Sequence, residues 1–374
     1  MVTDLLVTAG LIVIFLVVLI GPFRVKIIEE NLEVFLFVCG VFALTISGLA
    51  HIPGEVTGWR FEIVEEALSA PLRIAEVYGI PIGIVQIVLI VGLIIYRWHA
   101  RILRVISRLI EVLSLRVLAF LLIVGLGLLS SIISAILAAI ILVEVMCALP
   151  IDRKNKISLT VIACFSIGLG AALTPLGEPL STIVTSKLAG APYHASFTFL
   201  FEMIGIYVIP GIVVFGILGV LLLRRVSTDD QATECEVYHE TIREVVIRAA
   251  KVYVFIMALV FLGDGFKPLI LEYILNVPSE ALYWINMVSA VLDNATLAAA
   301  EIAPALSELQ IKSALMGLLV SGGMLIPGNI PNIIAAGKMR ITSKEWARLG
   351  LPIGVAAMAV YFAVIFGASY VGLA

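Results

Sequence analysis

The sequence predicts an all-α polytopic membrane protein with inverted-topology repeats, each holding a re-entrant hairpin and a proline-broken transmembrane helix. Of its 374 residues, 61% are hydrophobic and only 14% are charged, whereas about a quarter of a soluble domain is charged. Several apolar runs reach the about 20 residues that a helix needs to cross a bilayer. Two of these runs are interrupted by prolines and polar residues, which hydrocarbon tolerates only where the backbone lines a cavity.

Residues 1–79 are predicted to form an N-terminal scaffold of two helices followed by a surface segment. The apolar runs at 5–20 and 32–49 are long enough to cross the bilayer or nearly so. The first run lacks a basic flank before it and a small-residue cleavage site after it, so we expect a helix there and not a signal peptide. Residues 51–78 mix charges and prolines with apolar residues and are expected to lie on the membrane surface.

Residues 80–223 are predicted to form the first repeat, which begins with a transmembrane span at 80–96. Five arginines follow at roughly helical spacing in 97–116, a pattern typical of an amphipathic helix on the membrane surface. The next run, 117–150, has 34 residues and a single charge, Glu144. It is too long for one untilted crossing and too short for two full crossings with a turn.

Basic residues flank that 117–150 run on both sides, so the positive-inside rule places both of its ends in the cytoplasm. The run is therefore predicted to be a re-entrant hairpin, and the alternative is a tight pair of tilted spans. A broken helix at 157–188 follows, interrupted at 174–179 by the sequence TPLGEP. A further span at 197–223 completes the repeat.

The polar segment 224–251 is predicted to be a cytoplasmic linker, and residues 252–374 to form the second repeat. The second hairpin is expected at 281–304 and the second broken helix at 313–339. A last span, at 349–370, follows a cluster of basic residues. Assigning the basic segments to the cytoplasm places the two hairpins on opposite sides of the membrane.

The two helix breaks match each other in sequence. A shift of 152 residues superimposes four residues of the first break on four of the second: Gly170, Leu173, Pro175 and Pro179 on Gly322, Leu325, Pro327 and Pro331. A shift of 155 lays the segment 134–137 on 289–292, which places Ala138 and Ala139 opposite Asp293 and Asn294. Two related halves of opposite orientation are typical of secondary transporters, whose substrate lies between broken helices at the bilayer midplane.

Asp293 and Glu178 are the two carboxylates predicted to lie in that site. An isolated carboxylate at the bilayer centre costs several kcal/mol, so it takes a partner, a cation or a proton. No Lys or Arg occurs in either hairpin or either break, which leaves a monovalent cation or a proton. Neutral ligands are expected from Thr174, Asn294, Thr296, Asn329 and Asn332. The breaks themselves are assigned to Pro175, Gly177, Pro179, Pro327, Gly328 and Pro331.

The sequences SAVLDNAT at 289–296 and GGMLIPGNIPNIIAA at 322–336 carry a resemblance to a known family. They resemble the ion transporter superfamily, which includes sodium/proton antiporters, arsenite permeases and divalent anion:sodium symporters. Within it, the chain is most similar to the small prokaryotic "predicted cation transporter" family. The resemblance covers roughly residues 116–223 and 252–370.

The resemblance implies that hairpin tips and helix breaks together bind ion and substrate, in a domain that moves as an elevator. It also implies a homodimer in the prokaryotic plasma membrane. Two features depart from the family pattern. The first hairpin lacks the expected Asn-Thr pair, which bears on a two-sodium site. The first break reads GEPLS, so Glu178 is a carboxylate beyond the usual pattern.

Together these observations predict a secondary active transporter that exchanges a monovalent cation, Na⁺ in the first place, for protons. The expected partners are the lipid bilayer and the transported ions, with no cofactor and no nucleic acid. The first alternative is a sodium-coupled symporter of a small anion. A more remote alternative is an intramembrane enzyme, but no HExxH motif occurs, and the histidines lie near predicted interfaces or in loops. The roles of Glu144, Glu202 and Glu301 are left open.

Overall fold

The structure, a computed structural model, describes most of the chain. The described residues are 5–24, 28, 31–51, 56–72, 113–149, 151–223, 241–291 and 294–370, with short pieces between 75 and 97. Within these ranges the regular elements are helical apart from one short antiparallel strand pair. The predicted amphipathic helix at 97–116 lies almost wholly outside the described residues.

The described residues up to 82 include three helices and the strand pair. Their bounds are α1 Leu5–Arg24, α2 Leu32–Ser47, α3 Phe61–Ser69, extended by a 3₁₀ turn at Ala70–Leu72, β1 Ala75–Val77 and β2 Ile80–Ile82. In the strand pair, Glu76 lies opposite Pro81. The prediction of a helix from residue 80 was therefore wrong at its start. Pro81 has no amide hydrogen to donate within a helix, and an edge strand accommodates it.

The middle of the chain forms five helices. Their bounds are α4 Leu115–Ile133, α5 Ala135–Ala148, α6 Arg153–Ala171, α7 Pro179–Lys187 and α8 Phe199–Leu222. The predicted interruption of the helix at 157–188 is confirmed, since the seven residues 172–178 separate the end of α6 from the start of α7. The predicted hairpin at 117–150 corresponds to α4 and α5, which are separated only by Ser134.

The last part of the chain begins with α9, Ile242–Gly265, followed by a short helical turn at Lys267–Leu269 and a π-helical turn at Ile270–Ile274. The remaining elements are α10 Ser279–Ile285, a 3₁₀ turn at Asn286–Ala290, α11 Asn294–Glu301, α12 Glu308–Gly322, a 3₁₀ turn at Ile326–Gly328, α13 Ile330–Lys338 and α14 Ser343–Tyr370. The second predicted interruption, within 313–339, is confirmed between α12 and α13.

A capping box shortens the predicted linker. Thr241 accepts a hydrogen bond from the backbone N–H of Glu244, whose carboxylate accepts one from the Thr241 backbone N–H at 2.6 Å. This arrangement satisfies two backbone donors and starts a helix. The linker expected at 224–251 therefore ends ten residues early. The sequence TIRE at 241–244 has the pattern of a capping box and could have predicted this helix start. Residues 224–240 lie outside the described residues.

Four helices of the described chain are long and apolar enough to cross a membrane, namely α4, α8, α9 and α14. Shorter apolar helices occur within α1, α2 and α5. This composition supports the predicted membrane-embedded protein.

The buried residues form two main clusters. The larger one joins α4–α8 to α10–α14, and a stacked pair, Phe165 and Phe215 with ring centroids 5.2 Å apart, belongs to it. The smaller one joins α1, α2 and α9. Small residues allow α2 and α9 to approach closely, since a Cβ at Gly40 would lie 2.9 Å from the Cβ of Phe261. The helix α9 thus packs chiefly with the N-terminal helices.

Candidate functional site

The first helix break is tied to the end of α4 by a threonine. The Thr174 hydroxyl donates to the carbonyl oxygen of Ser131 and accepts from the backbone N–H of Leu176 at 3.3 Å. Thr174 therefore uses its hydroxyl to hold the break against the hairpin. Pro175 is buried, and its carbonyl accepts from the Thr182 hydroxyl at 2.9 Å.

The junction of α4 and α5 meets the same break. Ser134 forms this junction with a positive φ of 79° and accepts from the backbone N–H of Leu137 at 3.5 Å. The next residue, Ala135, donates its backbone N–H to the Gly177 carbonyl at 2.7 Å. A Cβ at Gly177 would collide with the carbonyl oxygen of Ala171. Glycine is therefore required where the junction and the break meet.

Glu178 is the N-cap residue of α7, and its side chain does not cap the helix. It is only 5% exposed, and Pro179 follows it as the first residue of the helix. A narrow crevice of about 60 Å³ is lined by Glu178, Ser134, Thr182 and apolar residues from α9 and the start of α13. The structure thus places the predicted carboxylate in a small, mostly apolar space.

The second break is held by Asn332, the third residue of α13. Its amide nitrogen donates to the carbonyl oxygens of Gly322 and Leu325, both at 2.8 Å. These hydrogen bonds satisfy the last carbonyl of α12 and one carbonyl of the break, so the amide nitrogen has a structural role. A Cβ at Gly328 would lie 2.5 Å from the Ser289 carbonyl oxygen, so hairpin and break meet at a glycine here too. Pro327 lies in the 3₁₀ turn of the break.

Asn329 is the N-cap residue of α13 and is 1% exposed. Its amide lies against Gly168 on α6, where a Cβ would collide with the amide nitrogen. Neither the nitrogen nor the oxygen of this amide makes a hydrogen bond with the described residues. A buried amide without partners is costly, so Asn329 is available to bind a ligand. Pro331 packs beside it, with its carbonyl accepting from the Cys164 thiol at 3.6 Å.

The two breaks share one local geometry with an offset of 151 residues: α7 begins at 179 and α13 at 330, and they end at 187 and 338. On this offset four pairs match, namely Ala171 with Gly322, Gly177 with Gly328, Glu178 with Asn329 and Ser181 with Asn332. Ser181 donates to the Ala171 carbonyl at 3.4 Å, as Asn332 does to that of Gly322. The predicted offset of 152 was wrong by one residue. It aligned prolines, but proline is accommodated at either of the first two helical positions.

The hairpins follow a different offset, of 159 residues. Gly170 lies against the carbonyl of Gly127. Its counterpart on the 151-residue offset of the breaks is Ser321, whose hydroxyl donates to the carbonyl oxygen of Asn286 at 2.8 Å. The starts of α5 and α11, Ala135 and Asn294, have the same offset. On this offset Asn294 corresponds to Ala135, four residues from the predicted Ala139. The pairing of Ala138 with Asp293 stays a prediction, because Asp293 lies outside the described residues.

The structure describes only part of the second hairpin. Asp293 lies outside the described residues, and so does the side chain of Thr296. Asn294 begins α11, is 3% exposed, and its amide nitrogen makes no hydrogen bond with the described residues. Ser289, at the end of the preceding turn, is also buried, and its hydroxyl likewise makes no such bond. Ser289 lies at the second break, since its hydroxyl would be 3.7 Å from a Cβ at Gly322.

Each hairpin packs its second helix against the other half of the chain. The helix α5 packs on α13, where Leu137 and Ile140 contact Ile334, and α11 packs on α7. Lys187 ends α7 and donates to the carbonyl oxygens of Ala299 and, at 2.9 Å, Ile302. These hydrogen bonds satisfy carbonyl oxygens at the C-terminal end of α11.

The family model described as "Protein of unknown function (DUF1646)" matches residues 8–367. The chain belongs to this family. No curated protein matches the sequence.

A second cavity of the DUF1646 chain, of about 470 Å³, lies between α3, α7, α9 and the segment after α11. Its lining includes Glu66, Lys187 and Asp264. Arg60 binds Asp264 through two hydrogen bonds of 2.8 and 2.9 Å, and this interaction raises the pKa of Arg60. Within the described residues, no group of three or more His, Cys, Asp or Glu side chains could hold a metal ion.

Two fully buried polar residues were not predicted from the sequence, and the role of a third was left open. Asn286 and Ser313 are fully buried, and Glu301, whose role was left open, is 8% exposed. Asn286 could have been found as the only strongly polar residue of the apolar run 281–292. The contact between Asn286 and Glu301 depends on the fold. Of the other two open residues, Glu202 is exposed and accepts from the Thr198 hydroxyl at 2.7 Å, while Glu144 is half-buried.

Proposed function

We propose that this protein is a secondary active transporter that exchanges a monovalent cation, Na⁺ first, for protons. The observation that carries the proposal is the matched geometry of the two helix breaks. Each break places a polar N-cap residue, Glu178 or Asn329, in a buried position at the start of a half-helix. Paired broken helices of this kind support ion and substrate sites in transporters.

In each half, the second helix of the hairpin packs on the half-helix of the other half, and this reciprocal packing supports an inverted repeat. If a pseudo-two-fold axis relates the halves, then α5 must meet α13 in the way that α11 meets α7, and both contacts occur. The basic segments favour opposite orientations for the halves. We propose re-entrant hairpins for α4–α5 and α10–α11. The 14 residues of α5 and 8 of α11 are too few to cross a bilayer, although α4 alone is long enough.

The chemistry of the proposed site favours a cation. Glu178 is buried in a mostly apolar crevice. In such a place a bound cation stabilises the ionised carboxylate, and the carboxyl group holds a proton when no cation is bound. Binding of the cation then releases the proton from the same oxygen atoms. Asp293 supplies the second carboxylate in this proposal, while Asn294 and Asn329 supply neutral ligands. Thr174, Asn332 and Thr296 complete the proposed set.

The division of the buried core supports movement of one part against another. The cluster of α1, α2 and α9 would be the fixed scaffold, and the larger cluster with both breaks the moving part. An elevator movement, a homodimer and a place in the prokaryotic plasma membrane follow from the resemblance to the ion transporter superfamily. They are proposed on that ground.

Proton flux in proteoliposomes tests the proposal. Vesicles with an internal pH dye receive Na⁺, K⁺ or Li⁺ in turn, and cation-triggered proton movement is expected for at least one ion. Asp293→Asn and Glu178→Gln should each abolish it, whereas Glu202→Gln, an exposed carboxylate on α8, should leave it unchanged. Absence of proton movement with every cation would rule out the exchange. Flux that survives Glu178→Gln would leave Asp293 as the sole carrier.

A sodium-coupled symporter of a small anion is the second candidate. The observation in its favour is that α7 and α13 both begin at the breaks, and a helix N-terminus attracts anions. Asn329 adds a neutral side chain at one of these termini. Sodium-dependent uptake of labelled dicarboxylate, phosphate or arsenite into the same vesicles, without cation-triggered proton movement, would select this candidate.

A further inference from the structure

Glu301 and Asn286 form a buried polar contact on the far side of the second hairpin. Glu301 ends α11, and Asn286 begins the 3₁₀ turn before it. Their side chains interact. However, the two amide atoms of Asn286 and the Oε2 atom of Glu301 make no well-formed hydrogen bond with any described residue. A carboxylate and an amide thus lie together with unused polar atoms.

A buried hydroxyl lies on α12, the helix that packs against the turn of Asn286. Gly317 marks the contact with this turn, since a Cβ there would lie 3.0 Å from the Asn286 Cβ. Ser313 lies one helical turn before Gly317, on the same face of α12. It is fully buried, and its hydroxyl makes no hydrogen bond with the described residues. The helix α12 packs against both α11 and the turn of Asn286, so three neighbouring elements carry one carboxylate, one amide and one hydroxyl. Oxygen atoms of these kinds are the ligands that hard cations prefer.

The charged groups on neighbouring elements are engaged elsewhere. Lys187 donates to the Ala299 and Ile302 carbonyls, Asp264 binds Arg60, and Lys312 binds Glu308. Glu66, Lys267 and Glu272 are the other charged residues of these elements near α11. A buried carboxylate of this kind holds a proton or a cation.

A cavity lies next to the end of α11. The residues directly after Glu301, from 302 to 305, line the 470 Å³ cavity that also contains Glu66 and Asp264. Its lining includes Lys187 and Lys267 as well, and Asp264 binds Arg60. The cavity therefore brings charges of both signs close to the end of α11.

We infer that Glu301, Asn286 and Ser313 form a second ion site, which holds either one monovalent cation or one proton. The inference rests on and extends the proposed exchange, because it adds a carboxylate-centred site to the one proposed at Glu178. When the cation binds, the Glu301 carboxyl releases its proton, and the net charge of the site is unchanged.

Equilibrium dialysis of the purified full-length protein tests the site directly, with radioactive sodium and radioactive rubidium as probes. The starting variant is Asp293→Asn/Glu178→Gln, in which the first proposed site is removed. We expect it to retain one bound cation per protomer for one of the probes. Adding Glu301→Gln should remove that binding, whereas adding Glu202→Gln should not. Proton release into a weakly buffered solution on salt addition should disappear together with the binding.

Milder variants guard against misfolding. Asn286→Ala and Ser313→Ala, added to the starting variant, should each weaken cation binding at least tenfold while the protein elutes as the wild type does. Retention of cation binding in the Glu301→Gln variant, or no binding of either probe to the starting variant, would overturn the inference. The flux assay is independent of this test. No bound cation in the starting variant, together with normal flux in the wild-type protein, refutes the inference alone. Absent flux in the wild-type protein, together with Glu301-dependent binding, refutes the exchange alone.

Discussion

Glu178 and Asn329 occupy equivalent positions in the two helix breaks. Each is the N-cap residue of a nine-residue half-helix, with φ and ψ of −155° and 162° for Glu178 and −154° and 146° for Asn329. Both are buried. One break therefore presents a carboxylate where the other presents an amide, and this asymmetry suits a site that binds one cation between related halves.

Asn329→Ala should weaken cation binding with little loss of stability. The amide makes no hydrogen bond with the described residues, so its removal leaves no protein partner unsatisfied. The half-saturating cation concentration in the flux assay should rise about tenfold, which corresponds to about 1.4 kcal/mol of lost binding. Asn276→Ala, at an exposed amide, is the matched control. An unchanged half-saturating concentration would exclude Asn329 from the site.

Gly177→Ala and Gly328→Ala should each destabilise the protein. The added methyl groups would meet the Ala171 carbonyl oxygen in one case and the Ser289 and Gly322 carbonyl oxygens in the other. Overpacking of this kind costs about 1–3 kcal/mol. Thermal unfolding in detergent measures the loss.

Gly125→Ala and Gly337→Ala are the controls for the glycine variants. A Cβ at either position meets nothing within 4 Å, and both residues lie in helices. Alanine favours a helix over glycine by about 1 kcal/mol, so these variants should be neutral or more stable. Equal melting temperatures for all four variants would contradict the close contacts at the breaks.

Lys187→Met should loosen the contact between α7 and α11. The substitution keeps an aliphatic chain but removes the donor to the Ala299 and Ile302 carbonyls. A charged hydrogen bond contributes about 1.5–3 kcal/mol, so a lower melting temperature and faster amide exchange in α11 are expected. Lys154→Met, at an exposed lysine on α6, should change neither quantity. Unaltered exchange in α11 would show that Lys187 does not hold the helix.

Arg60 and Asp264 should show a larger coupling free energy than Lys312 and Glu308. The first pair makes two hydrogen bonds and is largely shielded, with side chains 26% and 11% exposed. The second is a single contact of 3.4 Å with Glu308 65% exposed. Double-mutant cycles to alanine should give about 1–2 kcal/mol for the first pair and about 0.3–0.5 for the second. Equal values would remove the proposed structural role of Arg60.

Much of the helical layout could be read from the sequence, because its signals are local. Proline and glycine at 175–179 and 327–331 interrupt the hydrogen-bond ladder wherever they occur, and both interruptions are observed. The burial of Glu178 and Asn329 followed from their place inside apolar runs. Local signals were also overlooked, since the capping box at Thr241 defines a helix start that was assigned to the linker.

The alignment of the two halves could not be read from identities alone. Prolines occupy the first helical position in α7 and the second in α13, so matching them shifts the breaks by one residue. The offset between the hairpins differs more from the predicted one. It depends on which carbonyl group a glycine or a serine contacts between packed helices. Such contacts join residues far apart in the chain, and a sequence carries them only implicitly.

By itself, the sequence determined the apolar segments, the two breaks and the candidate carboxylates, since each depends on hydrophobicity or backbone chemistry over a few residues. Only the tertiary structure decided which polar groups meet. It brought Glu301 beside Asn286, Lys187 onto the end of α11 and each hairpin onto the opposite half. These pairings arise because buried polar atoms and packed surfaces must be satisfied by whatever the fold brings near.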